Sequence, residues 1–125
     1  MILMGFLLAA TAARGQEHTK DSLDTVKKAL TEKKAILLDV RELTEWQEGH
    51  IRDALFIPLS QIRKENVDPK DWAKLPKDKI IYCHCAAGGR CLIASDLLKK
   101  KGYDIRALKP GYKSLIEAGF PKADK

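Results

Sequence analysis

Apolar positions along this chain follow two alternating rhythms. Short, mostly apolar runs at 35–40, 55–58, 79–83 and 104–108 have the length and the Ile and Leu content of strands in a largely buried sheet. Between them the spacing turns helical. Leu23, Val26, Ala29 and Leu30 share one face of a helix that starts at Ser22 and ends near Lys33 and Lys34. Leu43–Glu48 is a short helix stopped by Gly49, residues 59–67 form a helical connection, and Asp68 with Pro69 opens another short helix that runs to Leu75. Leu92, Ile93, Ala94, Leu97 and Leu98 mark a longer helix that three lysines and Gly102 bring to an end, and a last helix covers about 113–118. Strands alternating with helices predict an α/β sandwich, a small and mostly parallel sheet with helices on both faces.

The junction between the third run and the longer helix carries the candidate chemistry. Cys85 opens a loop that delivers the chain to a helix N-terminus, where free backbone N–H groups and the helix dipole favour an anion. Such a position lowers a thiol's pKa toward the reactive thiolate. Ala86, Ala87, Gly88 and Gly89 are too small to keep the backbone amides from curling round that anion, and Arg90 is expected to close the cradle with a fixed positive charge. In open α/β sheets ligands gather at the carboxyl ends of strands, so Asp39, which ends the first predicted strand, should share an edge with Cys85. Asp39 and Arg41 are therefore supporting candidates, with a turn cap and a local ion pair as the plainer account of both.

The loop Cys85-Ala86-Ala87-Gly88-Gly89-Arg90 resembles the active-site loop of the rhodanese family, Cys-x-x-Gly-x-Arg after a strand, in which the Cys carries a persulfide. Asp39-Val40-Arg41 is similar to the end of the corresponding family strand. Gly49-His50-Ile51-Arg52-Asp53-Ala54 with Ile57-Pro58 resembles the upstream Gly-His-Ile-x-Gly-Ala…Ile-Pro signature, with Asp53 where Gly is usual. Asp tolerates the left-handed conformation better than most residues, so the turn is expected to survive. The stretch Leu108 to Pro121 resembles the family's closing segment, with Pro110 in place of a Gly and Leu115 in place of a Trp. By this resemblance His50 is structural and Cys85 is the nucleophile of a sulfurtransferase of the thiosulfate or persulfide type. It would take a sulfane sulfur from a small sulfur-containing anion or persulfide donor, hold it on the amides of residues 86–90, and pass it to a thiol or cyanide acceptor. No metal and no organic cofactor is implied.

Related phosphatases and arsenate reductases carry five residues between Cys and Arg, and this loop has four. A redox or metal-binding module using Cys83, His84, Cys85 and Cys91 is a further alternative, although Cys-His-Cys on adjacent residues lacks the spacing of common metal motifs. A domain that binds a partner without turnover is another. Cys91 stands where the family more often has Ser. It is either a small residue under the loop or, like Cys83, a resolving thiol for Cys85.

Residues 1–15 differ from the rest: 2–13 are almost wholly apolar, and Ala13 and Gly15 offer a cleavage point, the pattern of a secretory signal peptide. The domain is then expected to be 22–125 behind a polar tail at 16–21, exported to a periplasmic or extracellular space, with no stable membrane span after processing. With no Cys before position 83, lipid attachment at a cleavage-site Cys is excluded. Three cysteines argue against a structural disulfide framework. The 125 residues suffice for one modest core, and the formal charge of +6 drops to +5 once Arg14 is removed. Because the lysines are dispersed as pairs along predicted helices with few aromatics, they read as a solvated surface and predict no nucleic-acid partner.

Overall fold

The computed structural model describes residues 17–124. The expected signal segment at 1–15 lies outside them. Helix α1 (Leu23–Thr31) begins at Ser22, whose side chain accepts from the Thr25 amide, and leads into β1 (Ala35–Asp39). Helix α2 (Leu43–Glu48), β2 (Leu55–Phe56), α3 (Leu59–Lys64) and α4 (Pro69–Lys74) follow. Then come β3 (Ile80–His84), α5 (Gly89–Lys99), β4 (Asp104–Ala107) and α6 (Tyr112–Glu117). The expected helix over 59–67 stops at Lys64 because Glu65 turns left-handed at φ 55°. Asp53 adopts the left-handed conformation its turn requires, at φ 66°.

The four strands are all parallel, in the order β2-β1-β3-β4. Two buried clusters cover the two faces of the sheet. Leu59, Ile62, Leu75, Ala94 and Leu98 pack with Leu38 and Ile81 on one side, and Val26, Leu115 and Phe120 pack with Leu37 and Tyr82 on the other. Neighbouring residues of β1 and β3 thus face opposite clusters, which is why both strands read as continuous apolar runs.

The strand order places the site. β1 crosses over to β2 on one flank and β3 to β4 on the other, so the connections leaving the central pair diverge and open a crevice at their carboxyl ends. Asp39 is in register with His84, and Cys85 follows one residue later on the same edge.

Residues 17–21, part of the expected polar tail, are docked on the sheet. Thr19 N–H donates to the Ala107 carbonyl at 2.8 Å, and His18 forms a parallel bridge with Ala107 at the end of β4. Asp21 accepts from the Tyr82 hydroxyl at 2.7 Å and from Arg106 Nη1 at 2.9 Å. Polar composition signals solvent exposure on average, and it is silent about partners supplied by a strand more than sixty residues away. Among the described residues no helix is long and apolar enough to cross a membrane.

Candidate active site

Cys85 leaves the end of β3 and is 1% exposed, beneath a rim of exposed Ala86, Ala87 and Gly89. Its sulfur receives the N–H of Gly88 at 3.0 Å and the N–H of Cys91 at 3.4 Å. Gly88 caps α5 at φ 94°, so the backbone reverses there without the penalty a side chain would carry. A Cβ on Gly88 would also come within 2.8 Å of the Lys109 carbonyl. From the other side the loop is held by the Tyr112 N–H, which donates to the Cys85 carbonyl at 2.9 Å. Gly111 lies so close that a Cβ there would fall 1.7 Å from the Ala86 oxygen.

Two expectations for the loop change on folding. The sequence predicts a lowered thiol pKa, yet the Cys85 thiol is raised above its ordinary value. The neighbouring Cys91 thiol is the main cause and burial the next, and the amide donors offset only part of this. Cys91 is itself pushed up to about 12 by the neighbouring Cys83 thiol and by burial, while Cys85 acts the other way. Arg90, expected to close the cradle, lies inside the first turn of α5 and turns to Glu45 on α2. Nη1 and Nη2 meet the two carboxylate oxygens at 2.7 and 2.9 Å. The charge next to the sulfur is therefore largely neutralised by a residue the sequence reading did not single out. Its one local signal was the Glu42–Glu45 capping box at the start of α2.

Cys83 and Cys91 are fully buried, and all three cysteines are free. The Cys91 thiol lies 3.2 Å from both the Gly88 and the Leu108 carbonyl oxygens. Among the described residues no group of three His, Cys, Asp or Glu side chains is placed to hold a metal ion.

Asp39 and Arg41 pair with each other rather than reaching into the loop. The carboxylate accepts from the Arg41 amide at 3.0 Å, from Nε at 3.0 and 3.1 Å, and from Nη2 at 2.8 Å. Arg41 also donates to the Gly49 carbonyl at 2.7 Å and lies over the Tyr112 ring, 4.2 Å from its centroid. The pair ties together the end of β1, the end of α2 and the start of α6, which is the frame around the loop. His84 sits beside it, fully buried, with Nε2 3.7 Å from Asp39 Oδ2 and without a hydrogen-bond partner. Burial holds its pKa below the ordinary value. His50 stacks on Trp46 at 3.5 Å between centroids, with Nδ1 3.0 Å from the Trp46 carbonyl, a structural placement.

A cavity of ≈ 690 Å³ lies at the opposite, amino edge of the sheet, among Lys27, Leu30, Ala35, Ile51 and Phe120, and contains none of the loop residues.

A parallel α/β sheet whose central strand leads directly into a cysteine, with the amides of a short glycine-containing loop converging on its sulfur, defines a cysteine-loop α/β domain. The chain belongs to the rhodanese-like domain family, whose profile matches residues 22–118. Among solved structures it is similar to the human single-domain sulfurtransferase TSTD1, with 28% identity, a TM-score of 0.68, and coverage of 82% of this chain and 97% of that one. It is also similar to a rhodanese-related protein from Thermoplasma volcanium, with 30% identity, a TM-score of 0.67, and coverage of 82% and 94%. Among curated proteins, a tRNA uridine(34) hydroxylase of onion yellows phytoplasma is 39% identical over 80 residues, 61% of this chain and 25% of that protein. Bacillus subtilis YqhL is 38% identical over 82 residues, 65% of this chain and 60% of that protein. The chain thus spans about a quarter of the hydroxylase and three fifths of YqhL.

Proposed function

We propose that this domain is a sulfurtransferase that works through a persulfide on Cys85. The observation that carries the reading is the convergence of the Gly88 and Cys91 amides on the Cys85 sulfur at the mouth of α5. Likeness to a human single-domain sulfurtransferase over nearly the whole of that protein supports it. The match to the hydroxylases covers a quarter of their length and supports a shared domain only.

In the forward half-reaction the Cys85 proton leaves to solvent and the thiolate attacks the outer, sulfane sulfur of thiosulfate or a persulfide. The donor's S–S bond breaks, and its electron pair departs on sulfite or a thiolate. The new persulfide anion extends into the space bounded by the backbone of residues 86–90, where amide N–H groups replace its hydration. An acceptor thiolate then attacks the terminal sulfur and carries it off as a new persulfide, returning Cys85 as thiolate. Small anionic sulfur donors and thiol acceptors are the proposed partners, in an exported protein.

Intact-mass measurement after incubation with thiosulfate or polysulfide tests the reading. One added sulfur, located on Cys85 by peptide mapping and removed by a small thiol, is expected. Absence of the adduct with both donors, or its location on Cys83 or Cys91, overturns the assignment.

A further inference from the structure

We propose that His18, on the docked segment that precedes α1, is a positioning residue for the Cys85 loop. The inference rests on the sulfurtransferase reading for its purpose, although its physical basis is independent of any donor.

His18 Nε2 lies 2.7 Å from the Gly88 carbonyl oxygen. A carbonyl oxygen can only accept, so Nε2 carries the hydrogen and donates. The contact spans 70 residues of sequence. It is held in place on the chain's own backbone by the His18–Ala107 bridge and the Thr19 N–H bond to Ala107, and by Asp21 on Tyr82 and Arg106 two residues further along. Segment 17–21 therefore crosses the carboxyl edge of β4 as a strap whose one aromatic side chain ends on the loop.

The Gly88 carbonyl is a consequential place to grip. In a trans peptide the C=O and the following N–H point in opposite directions, so fixing the Gly88 oxygen against His18 fixes the Gly89 N–H toward the other side of the peptide plane. Gly88 is also the left-handed residue at which the loop turns into α5, and its own N–H donates to the Cys85 sulfur. A glycine at φ 94° has no side chain to restrict it, and rotation of the next peptide would present a carbonyl oxygen to the persulfide in place of an N–H. The Cys91 thiol also approaches the Gly88 oxygen, at 3.2 Å, but the Leu108 carbonyl competes for its single proton. The start of α5 brings the Leu92 N–H to the same oxygen, and His18 is the donor that reaches it from outside the loop and its helix. A His18 side chain would also be 3.1 Å from any Cβ at position 88, so strap and glycine are matched to one another.

The test is the pH profile of Cys85 alkylation by iodoacetamide in the full chain, read by mass on the Cys85 peptide, alongside sulfur loading from polysulfide. His18→Gln keeps an N–H donor at nearly the same reach, His18→Asn is one methylene too short, and His18→Leu has no donor. If the strap orients the loop amides, His18→Leu and His18→Asn move the alkylation midpoint up by about half a pH unit and slow alkylation at neutral pH about threefold, within the usual weight of one hydrogen bond, while His18→Gln follows the parent. The Asn variant carries the comparison if the Leu variant does not fold. Profiles identical to the parent in both, or an equal shift in His18→Gln, overturn the positioning role. A parent that fails to load sulfur while the Asn and Leu variants still shift the midpoint would overturn the sulfurtransferase reading and leave the role of His18 standing.

Discussion

Glu45 on α2 holds Arg90 on α5 in a two-bonded fork, with N–O distances of 2.7 and 2.9 Å, across 45 residues of sequence. The fork fixes the first turn of the helix whose amides face Cys85, and it removes most of the positive charge that Arg90 would otherwise present there.

Glu45 is held down to about 2 from an ordinary 4.5, chiefly by the Arg90 hydrogen bonds. Its contribution to stability is therefore complete above pH 4.5 and is lost as pH falls toward about 2. Glu45→Gln should remove that acid-dependent component. Because both side chains are about one-third exposed, the cost at neutral pH should stay below about 1 kcal/mol. Urea unfolding at pH 7, 4 and 3 checks this, and an unchanged pH dependence in the variant would refute it.

Thiosulfate should be a poor donor, since the rim residues Ala86 and Ala87 carry no charge and Arg90 is paired. Lys at position 86 or 87 should lower the apparent KM for thiosulfate at low ionic strength and lose the advantage as salt is raised. Steady-state kinetics at two salt concentrations read the effect, and equal KM values in variant and parent at low salt would count against it.

Cys85→Ser should abolish sulfur loading and Cys83→Ser should preserve it, because only the Cys85 sulfur receives loop amides. Cys91→Ala should bring the Cys85 alkylation midpoint down, since the neighbouring Cys91 thiol is the main cause of its elevation and the backbone N–H at 91 is kept. A resolving role for Cys83 or Cys91 is checked by mild peroxide followed by a dithiol. With Cys91 turned onto two carbonyls and pushed up to about 12, the double variant Cys83→Ser, Cys91→Ser should lose and regain activity in step with the parent.

Gly111→Ala should destabilise the domain by about 1–3 kcal/mol, the range for overpacking, because the added methyl would overlap the backbone of Ala86 and Ala87, and the loop would have to shift to admit it. Sulfur loading should fall with it. Thermal and urea unfolding decide the point, and parent-like stability would contradict the packing seen at the loop.

His84 is buried neutral with Asp39 and Arg41 as its charged neighbours, and burial holds its pKa below 6.5. The unfolded chain binds the extra proton first, so stability is complete above pH 6.5 and falls as pH drops below it, by at most about 1.4 kcal/mol per pH unit. His84→Gln should flatten the profile between pH 6.5 and 5, measurable by urea unfolding across that interval.

The sequence by itself determined the order of strands and helices, the position of Cys85 at the mouth of a helix, and the left-handed turn at Asp53. Each of these depends on neighbours a few residues away, through side-chain period, capping and the steric freedom of small residues. Only the tertiary structure decided the electrostatics of the site. The thiol is raised rather than lowered because Cys91 and burial surround it, Arg90 is spent on Glu45, and His18 reaches Gly88. Desolvation and ion pairing depend on which distant segments come to share one sheet edge, and the side chains involved carry no local pattern that distinguishes a packed partner from a solvated one.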